Sequence, residues 1–504
     1  MMMLKRMVVC FVLVVAMECH GREAVPPELV HARPVWPFRT GPNHGLYDSA
    51  GRRLLFRGTN FVQKGTPWYP EVLLNASRLE QYAHWGFNAI RLGYMWSGVE
   101  TAPGVYDKAY AGVMREIIEN GLEQGVYSLI DNHQDVLSSF FCTYDGVPPF
   151  YVNLTLPDAR SPFPQPLPAD ANGCAAGPWF TNYMAESVGQ AFQEVYDNAH
   201  GLRDAFEAYW TQVAANLVGV PILGYDLWNE PFCGDWYSRK ELFVPGVADT
   251  VNVGPLYDRL ADAISTVDEN NLFLYEPVTW GIYSSRPVGS GFLTVPGGLR
   301  NRYRSVFNFH YYCAIYSVAQ EKVCDEFLGP QVFDTVAADL RRLGGSSFLS
   351  EWGSTGGCFP HTEKGREECY TIMQLAQEHY TSWTNWDWGT GRLQNGWDVD
   401  PYDLAVFAWP YPQALAGSPS LLKFDPASRI FRLTYEAYLS DRPSLLSVPF
   451  DIQYPTGYKI SHNLNGTGTL AVYEAHNRIL ILALPTGTVV DLTIAPSSER
   501  RPAY

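Results

Sequence analysis

Short, apolar, β-branched runs alternate eight times with longer stretches whose apolar positions recur at helical spacing, and this alternation most constrains the chain. Runs at Leu54–Phe61, Asn88–Met95, Val126–Asp131, Ile222–Asn229, Leu272–Glu276, Ser305–His310, Ser347–Glu351 and Ser382–Trp388 read as strands. Helical periodicity lies between most of them, over Tyr110–Gln124, Leu202–Leu217, Leu256–Val267, Phe333–Leu343 and Glu367–Tyr380. Such alternation predicts an α/β fold with a parallel sheet, and eight repeats predict a closed (β/α)8 TIM barrel. An open, doubly wound sheet would want a glycine-rich phosphate turn after the first strand. That position reads Arg57-Gly58-Thr59-Asn60-Phe61, which is no such turn.

The 504 residues exceed what one barrel needs. Beyond about Pro412 the pattern changes to alternating runs such as Arg429–Leu433, Thr469–Glu474 and Arg478–Leu484, separated by turn residues. The expected division is a barrel over residues 22–411 and an antiparallel β-sandwich over 412–504. Residues 1–21 read as a signal peptide. Lys5 and Arg6 precede the apolar run Val8 to Met17, with small residues around Cys19-His20-Gly21. Export follows as an expectation, to the extracellular medium or to a lysosomal or endosomal lumen. Seven cysteines remain, an odd number. Cys142–Cys174, Cys313–Cys324 and Cys358–Cys369 are the pairings considered, with Cys233 the buried leftover, and connectivity stays open. Asn75, Asn153 and Asn465 stand in Asn-x-Ser/Thr acceptors for glycosylation.

Between the third and fourth strands lie about ninety residues, including the proline-rich stretch Val147–Pro178. In a barrel this insertion follows a strand C-terminus and so overhangs the face where barrel enzymes keep their sites. The balance of 36 Lys+Arg against 52 Asp+Glu gives a net charge of −16. A field of that sign repels phosphate backbones and argues against nucleic-acid partners. No Cys-x-x-Cys or His-x-x-x-His spacing supports a metal centre, and no cofactor is expected. Strand four ends Leu227-Trp228-Asn229-Glu230-Pro231 and strand seven ends Leu349-Ser350-Glu351-Trp352-Gly353. Two carboxyls on one barrel face suit acetal cleavage, in which one stays protonated for the leaving oxygen and the other stays ionised to attack carbon. The plainer alternative makes each glutamate a surface residue or an ion-pair partner.

Asn-Glu-Pro after strand four, together with a glutamate ending strand seven, resembles glycoside hydrolase family 5. Further matches follow in chain order: Arg91 in Asn88-Ala89-Ile90-Arg91-Leu92, His133 in Asp131-Asn132-His133-Gln134-Asp135, His310-Tyr311-Tyr312, and Trp386 or Trp388 near strand eight. Within that family, Gly58–Lys64, Asp131–Val136 and Trp228–Phe232 are similar to the corresponding segments of endoglycoceramidases. The resemblance implies Glu230 as acid/base and Glu351 as nucleophile, with Asn229 on the sugar 2-hydroxyl and Arg91 and Tyr312 orienting Glu351. It places Lys64, Asp135 and Trp179 against the first sugars. His133 and His310 line the site or, alternatively, are satisfied core histidines. Arg91 beside Glu351 would hold a carboxylate in a fixed pose, while Glu230 in an apolar setting would keep its proton.

The implied activity is hydrolysis, with retention, of the bond between oligosaccharide and ceramide in glycosphingolipids. The implied partner is that lipid, met at a membrane surface or with an activator or detergent. Phe140, Phe141, Phe150 and Tyr151 of the overhang would suit a lipid path, or else pack the loop. A glucosylceramidase, a steryl-glucosidase, an endoglucanase and a non-catalytic sugar-binding barrel are the alternatives.

Overall fold

A computed structural model of the chain describes residues 24–497 except 143, 156–158, 279–288, 314–322, 355–362, 388–392, 394–396, 398, 400, 465 and 483. Residues 1–21, read above as a signal peptide, Trp388, Cys358 and Asn465 therefore lie outside the described residues, as does the Cys313 side chain.

Eight parallel strands close a barrel. They are β1 (Arg57–Phe61), β2 (Ala89–Gly93), β3 (Tyr127–Asp131), β4 (Gly224–Asp226), β5 (Leu272–Tyr275), β6 (Ser305–Cys313), β7 (Ser346–Ser354) and β8 (Ser382–Asn385). Closure is made by β8 pairing with β1 through Trp383↔Arg57, Thr384↔Gly58 and Asn385↔Thr59. Each of the eight falls on a run read as a strand. The strands β1 to β5 and β8 are buried along their whole length, because helices cover one face and barrel-filling side chains the other. The helices start and stop where local chemistry dictates. Asn75 caps Ala76–His84 by accepting the Ser77 N–H, and Asp107 caps Lys108–Glu123 by accepting from Ala109 and Tyr110. Gly344, at φ +82°, ends Gly329–Leu343.

The C-terminal region forms two antiparallel sheets, and its larger sheet extends beyond the expected division of the chain. Its order is Arg39–Thr40, Leu46–Tyr47, Arg53–Leu54, Tyr411–Leu415, Ser444–Ser447, Arg478–Ile481 and Leu470–Tyr473. Three strands from before the barrel thus join four from after it. Gly417–Asp425, Ile430–Ala437, Val489–Pro496 and Tyr458–His462 form the smaller sheet. A separate apolar cluster seals the barrel floor. Phe56, Ala89, Tyr127, Leu223, Leu272 and Val306 at the strand starts meet Leu29, Phe38 and Leu54 from the N-terminal segment and Ala414, Leu445 and Leu480 from the sheet. The open, functional end is therefore the opposite one.

A disulfide joins Cys142 to Cys174 within the insertion. Cys324 and Cys369 are also disulfide-bonded, and Cys233 is free and buried. Of the two readings of the overhang's aromatics, a lipid path or loop packing, the structure shows packing. Phe141 and Tyr151 are buried, with Phe141 against Phe163 and the Tyr151 hydroxyl donating to Glu100 Oε1 at 2.7 Å. Phe140 and Phe150 are partly buried against the same core. They fasten the overhang down because its backbone excursion needs a core of its own. The large exposed apolar side chains of this region, among the described residues, are instead Leu154, Trp179 and Phe180.

Arg52 ties the floor together. Fully buried, it donates to Asp48 Oδ2 from Nε (2.9 Å) and Nη2 (2.7 Å), and to the carbonyls of Ala32, Arg33 and Pro443. Breaking a buried pair strands the remaining charge, so Arg52→Met should lower stability by about 3–5 kcal/mol. Thermal unfolding reads this, and a midpoint within about a degree of the parent would count against the clamp.

Candidate active site

Arg91, in the middle of β2, points into the barrel and is fully buried. A guanidinium has five N–H groups, and every one is used. Nε donates to Asp226 Oδ2 (2.8 Å) at the end of β4. Nη1 donates to Glu351 Oε1 (2.6 Å) and Asn60 Oδ1 (3.1 Å). Nη2 donates to Asp131 Oδ1 (2.8 Å) and Asn229 Oδ1 (2.8 Å). Burial alone would pull the Arg91 pKa down, but Asp131, Asp226 and Glu351 outweigh it and hold the cation.

Glu351 accepts a second bond, from the Tyr312 hydroxyl to Oε2 at 2.8 Å. A bulge aims it. The β6–β7 register runs Phe309↔Leu349 and then His310↔Glu351, leaving Ser350 as an extra residue. Ser350 and Glu351 consequently both face His310, whose Nε2 lies 2.9 Å from Ser350 Oγ and whose Nδ1 lies 3.5 Å from Glu351 Oε2.

Glu230 follows β4 with φ +40°, in the left-handed region that a glutamate rarely enters. Its N–H donates to Glu276 Oε2 (2.9 Å), and Gln134 Nε2 donates to its carbonyl (3.0 Å) and to that of Asn229 (2.8 Å). Its Oε1 is 2.9 Å from His310 Nδ1. Burial, and after it the charge of Asp135, pushes the Glu230 carboxyl up to about 7, against His133, Lys64 and Arg91. Burial also depresses His310 to about 3 despite the nearby Glu351. Its ring is thus neutral, with Nδ1 hydrogen-bonded to Glu230 and Nε2 to the Ser350 hydroxyl. One oxygen each of Glu230 and Glu351 and a ring nitrogen of His310 all lie within 4.8 Å of one another.

Beside this pair lies a second polar group. Lys64 Nζ pairs with Asp135 Oδ2 and sits 4.6 Å above the Trp386 ring. His133 stacks on Trp386 at 5.2 Å and 3°, with Nδ1 2.9 Å from Asp131 Oδ2 and Nε2 3.7 Å from Asp135 Oδ2. Burial works against charge on His133, but Asp131 outweighs it and raises the pKa to about 10, leaving an imidazolium. Asp145, buried beside Asp135 and His133, is pushed up to about 7 by burial and then by the Asp135 charge.

Of the twelve site residues singled out in the sequence, Lys64, Arg91, His133, Asp135, Asn229, Glu230, His310, Tyr312, Glu351 and Trp386 lie together at this end of the barrel. Trp179 lies farther out on the insertion, packed on Tyr144 and Tyr183. Asn60, Asp131, Gln134, Asp145, Asp226 and Glu276 complete the polar shell and were not singled out. Their signal was positional, since Asp131 and Glu276 end runs read as strands.

The chain matches the family described as Cellulase (glycosyl hydrolase family 5) over residues 47–392, and the Glycoside hydrolase family 5 C-terminal domain over 410–494. An endoglycoceramidase of Hydra vulgaris is 32% identical over 449 residues, covering 83% of this chain and 82% of that one. One of Cyanea nozakii is 33% identical over 450 residues, covering 82% and 85%. Among solved structures, endo-glycoceramidase II from Rhodococcus sp. as a lactosyl-enzyme intermediate superposes with a TM-score of 0.70 at 21% identity, covering 89% of this chain and 99% of that one. Its ganglioside GM3 complex gives a TM-score of 0.69 at 21% identity, covering 89% and 98%. The chain belongs to glycoside hydrolase family 5, as a glycoside hydrolase of the endoglycoceramidase type.

Proposed function

We propose that this protein is an exported, retaining glycosidase that cuts glycosphingolipids between the oligosaccharide and the ceramide, releasing both intact. The observation that carries the mechanism is the closeness of Glu230 and Glu351, whose carboxyl oxygens approach within 4.8 Å. Carboxyls about 5 Å apart leave no room for a water between nucleophile and sugar, whereas inverting enzymes keep about 6.5–9.5 Å. Glu351, paired with Arg91, attacks the anomeric carbon. As the carbon–oxygen bond to ceramide breaks, Glu230 gives its proton to the leaving oxygen. Glu230 then takes a proton from water, which attacks the glycosyl-enzyme and frees Glu351 with net retention. Asn229 spends its Oδ1 on Arg91 and one Nδ2 hydrogen on the Gln134 carbonyl, leaving the other for the sugar 2-hydroxyl. Lys64, Asp135, His133 and Trp386 form the polar, aromatic wall against the first sugars.

The lipid reading rests on the relatives named endoglycoceramidase and on the Rhodococcus enzyme's complex with ganglioside GM3. Trp179, Phe180 and Leu154 on the overhang are the exposed apolar groups proposed to meet the lipid or its membrane. Export is supported by the basic and apolar N-terminal residues and by the Cys142–Cys174 disulfide, which suits an oxidising compartment. Asn75 and Asn153 are exposed, as glycan acceptors must be.

Three outcomes test this reading. Glu351→Gln, which preserves shape, should lower turnover by about a thousandfold or more, since the covalent step is lost. Near-parental rates would end the assignment. Glu230 must hold its proton to act as the acid, so kcat/KM should fall as pH rises through about 7. Glu230→Gln, assayed on an activated aryl glycoside, should lose that alkaline limb, and a limb that persists would assign it to another group. Finally, lactosylceramide and gangliosides should yield intact glycan and ceramide by mass spectrometry. Efficient cleavage of cellulose or steryl glucosides with lactosylceramide untouched would keep the family and overturn the lipid specificity.

A further inference from the structure

Glu276 is the residue after β5, with its side chain buried between Glu230 and His310. Oε2 accepts the Glu230 N–H at 2.9 Å, while Oε1 stands 3.4 Å from His310 Nδ1 and has no hydrogen-bond partner among the described residues. Its own carbonyl is held by the Tyr257 hydroxyl at 3.0 Å, so its main chain is anchored from the far side.

The need for such a residue lies in the backbone of Glu230. A φ of +40° brings Cβ towards the neighbouring carbonyl and persists only where the surroundings fix it. The strand has ended, so no ladder partner is available for the Glu230 N–H. Gln134 holds the carbonyls on either side of the Glu230 Cα, and Glu276 holds the N–H between them. With three bonds fixed, the peptide cannot rotate and the Cα–Cβ bond of Glu230 has one direction.

We infer that Glu276 is a positioning residue, whose carboxyl pins the main chain at Glu230 so that the acid is aimed at the leaving oxygen. The inference rests on Glu230 being the acid/base. Burial, and after it the nearby Glu230, pushes the Glu276 carboxyl well above the usual range, which disfavours charge on it.

The role predicts a particular kinetic signature. A misaimed acid slows departure of a poor leaving group and matters little to a good one, because dinitrophenolate leaves without a proton. The test compares kcat/KM on phenyl and 2,4-dinitrophenyl lactosides for the parent, Glu276→Met and Glu276→Gln. Met should cost at least about tenfold on the phenyl substrate and less than about twofold on the dinitrophenyl one. Gln keeps a neutral acceptor and should return the phenyl rate to within about threefold of the parent. Equal losses on both substrates, no loss on either, or a Gln variant as impaired as Met would overturn the inference. Should Met not be recovered folded, Glu276→Ala is read in the same way. Aryl lactosides carry no lipid, so a parent that ignores lactosylceramide would undo the substrate reading and leave this comparison intact.

Discussion

The functional end of the barrel is organised by one buried cation. Moving a guanidinium out of water is costly, and the cost is offset only when each N–H finds an acceptor and the charge finds partners. Arg91 meets both conditions with Asp131, Asp226 and Glu351 from three strands, with Asn60 from a fourth, and with Asn229 just beyond β4. Those acceptors converge on a single point, which fixes the relative height of five parts of the sheet. Replacing the arginine would leave buried acidic side chains facing one another and Glu351 without its anchor.

Around that cation the charges are sorted. Glu351 lies in its grip, while Glu230 lies against a neutral imidazole and a carboxyl on which burial disfavours charge. The imidazolium of His133 and the ammonium of Lys64 share Asp135 on the sugar side. Two like side chains less than 5 Å apart therefore meet opposite surroundings.

Much of this was legible in the sequence because barrel strands are short, apolar and regularly spaced, and because strand ends carry the chemistry. Glu230 and Glu351 stood out as carboxyls ending apolar runs. Glu276 ended one as well, yet nothing in a linear reading distinguishes an acceptor for a main-chain N–H from a surface acid. The bulge at Ser350 was hidden for a related reason, since one extra residue in a strand leaves composition unchanged. Phe141 and Tyr151 left two readings open, a lipid path or loop packing, because a linear reading does not tell which aromatics an overhanging loop exposes. A loop of that length packs a core beneath itself, and its disulfide and the Tyr151–Glu100 bond hold it there. The three strands before the barrel, each two residues long, fell below any periodicity that could be recognised.

Those three strands also set a timetable. Arg53–Leu54 pairs with Tyr411–Leu415, so that Leu54 meets Ala414 across 360 positions of intervening chain. At about 5–20 residues per second, a ribosome needs roughly 20–70 s to make that stretch. Throughout that interval the first three strands are an unfinished sheet with an open edge. Exposed edges recruit other chains unless they are short or charged. Here each strand has two residues, and two of the three carry an arginine. Their brevity looks like a weakness in the finished fold, but during synthesis it keeps the waiting edge from pairing before its own partner arrives.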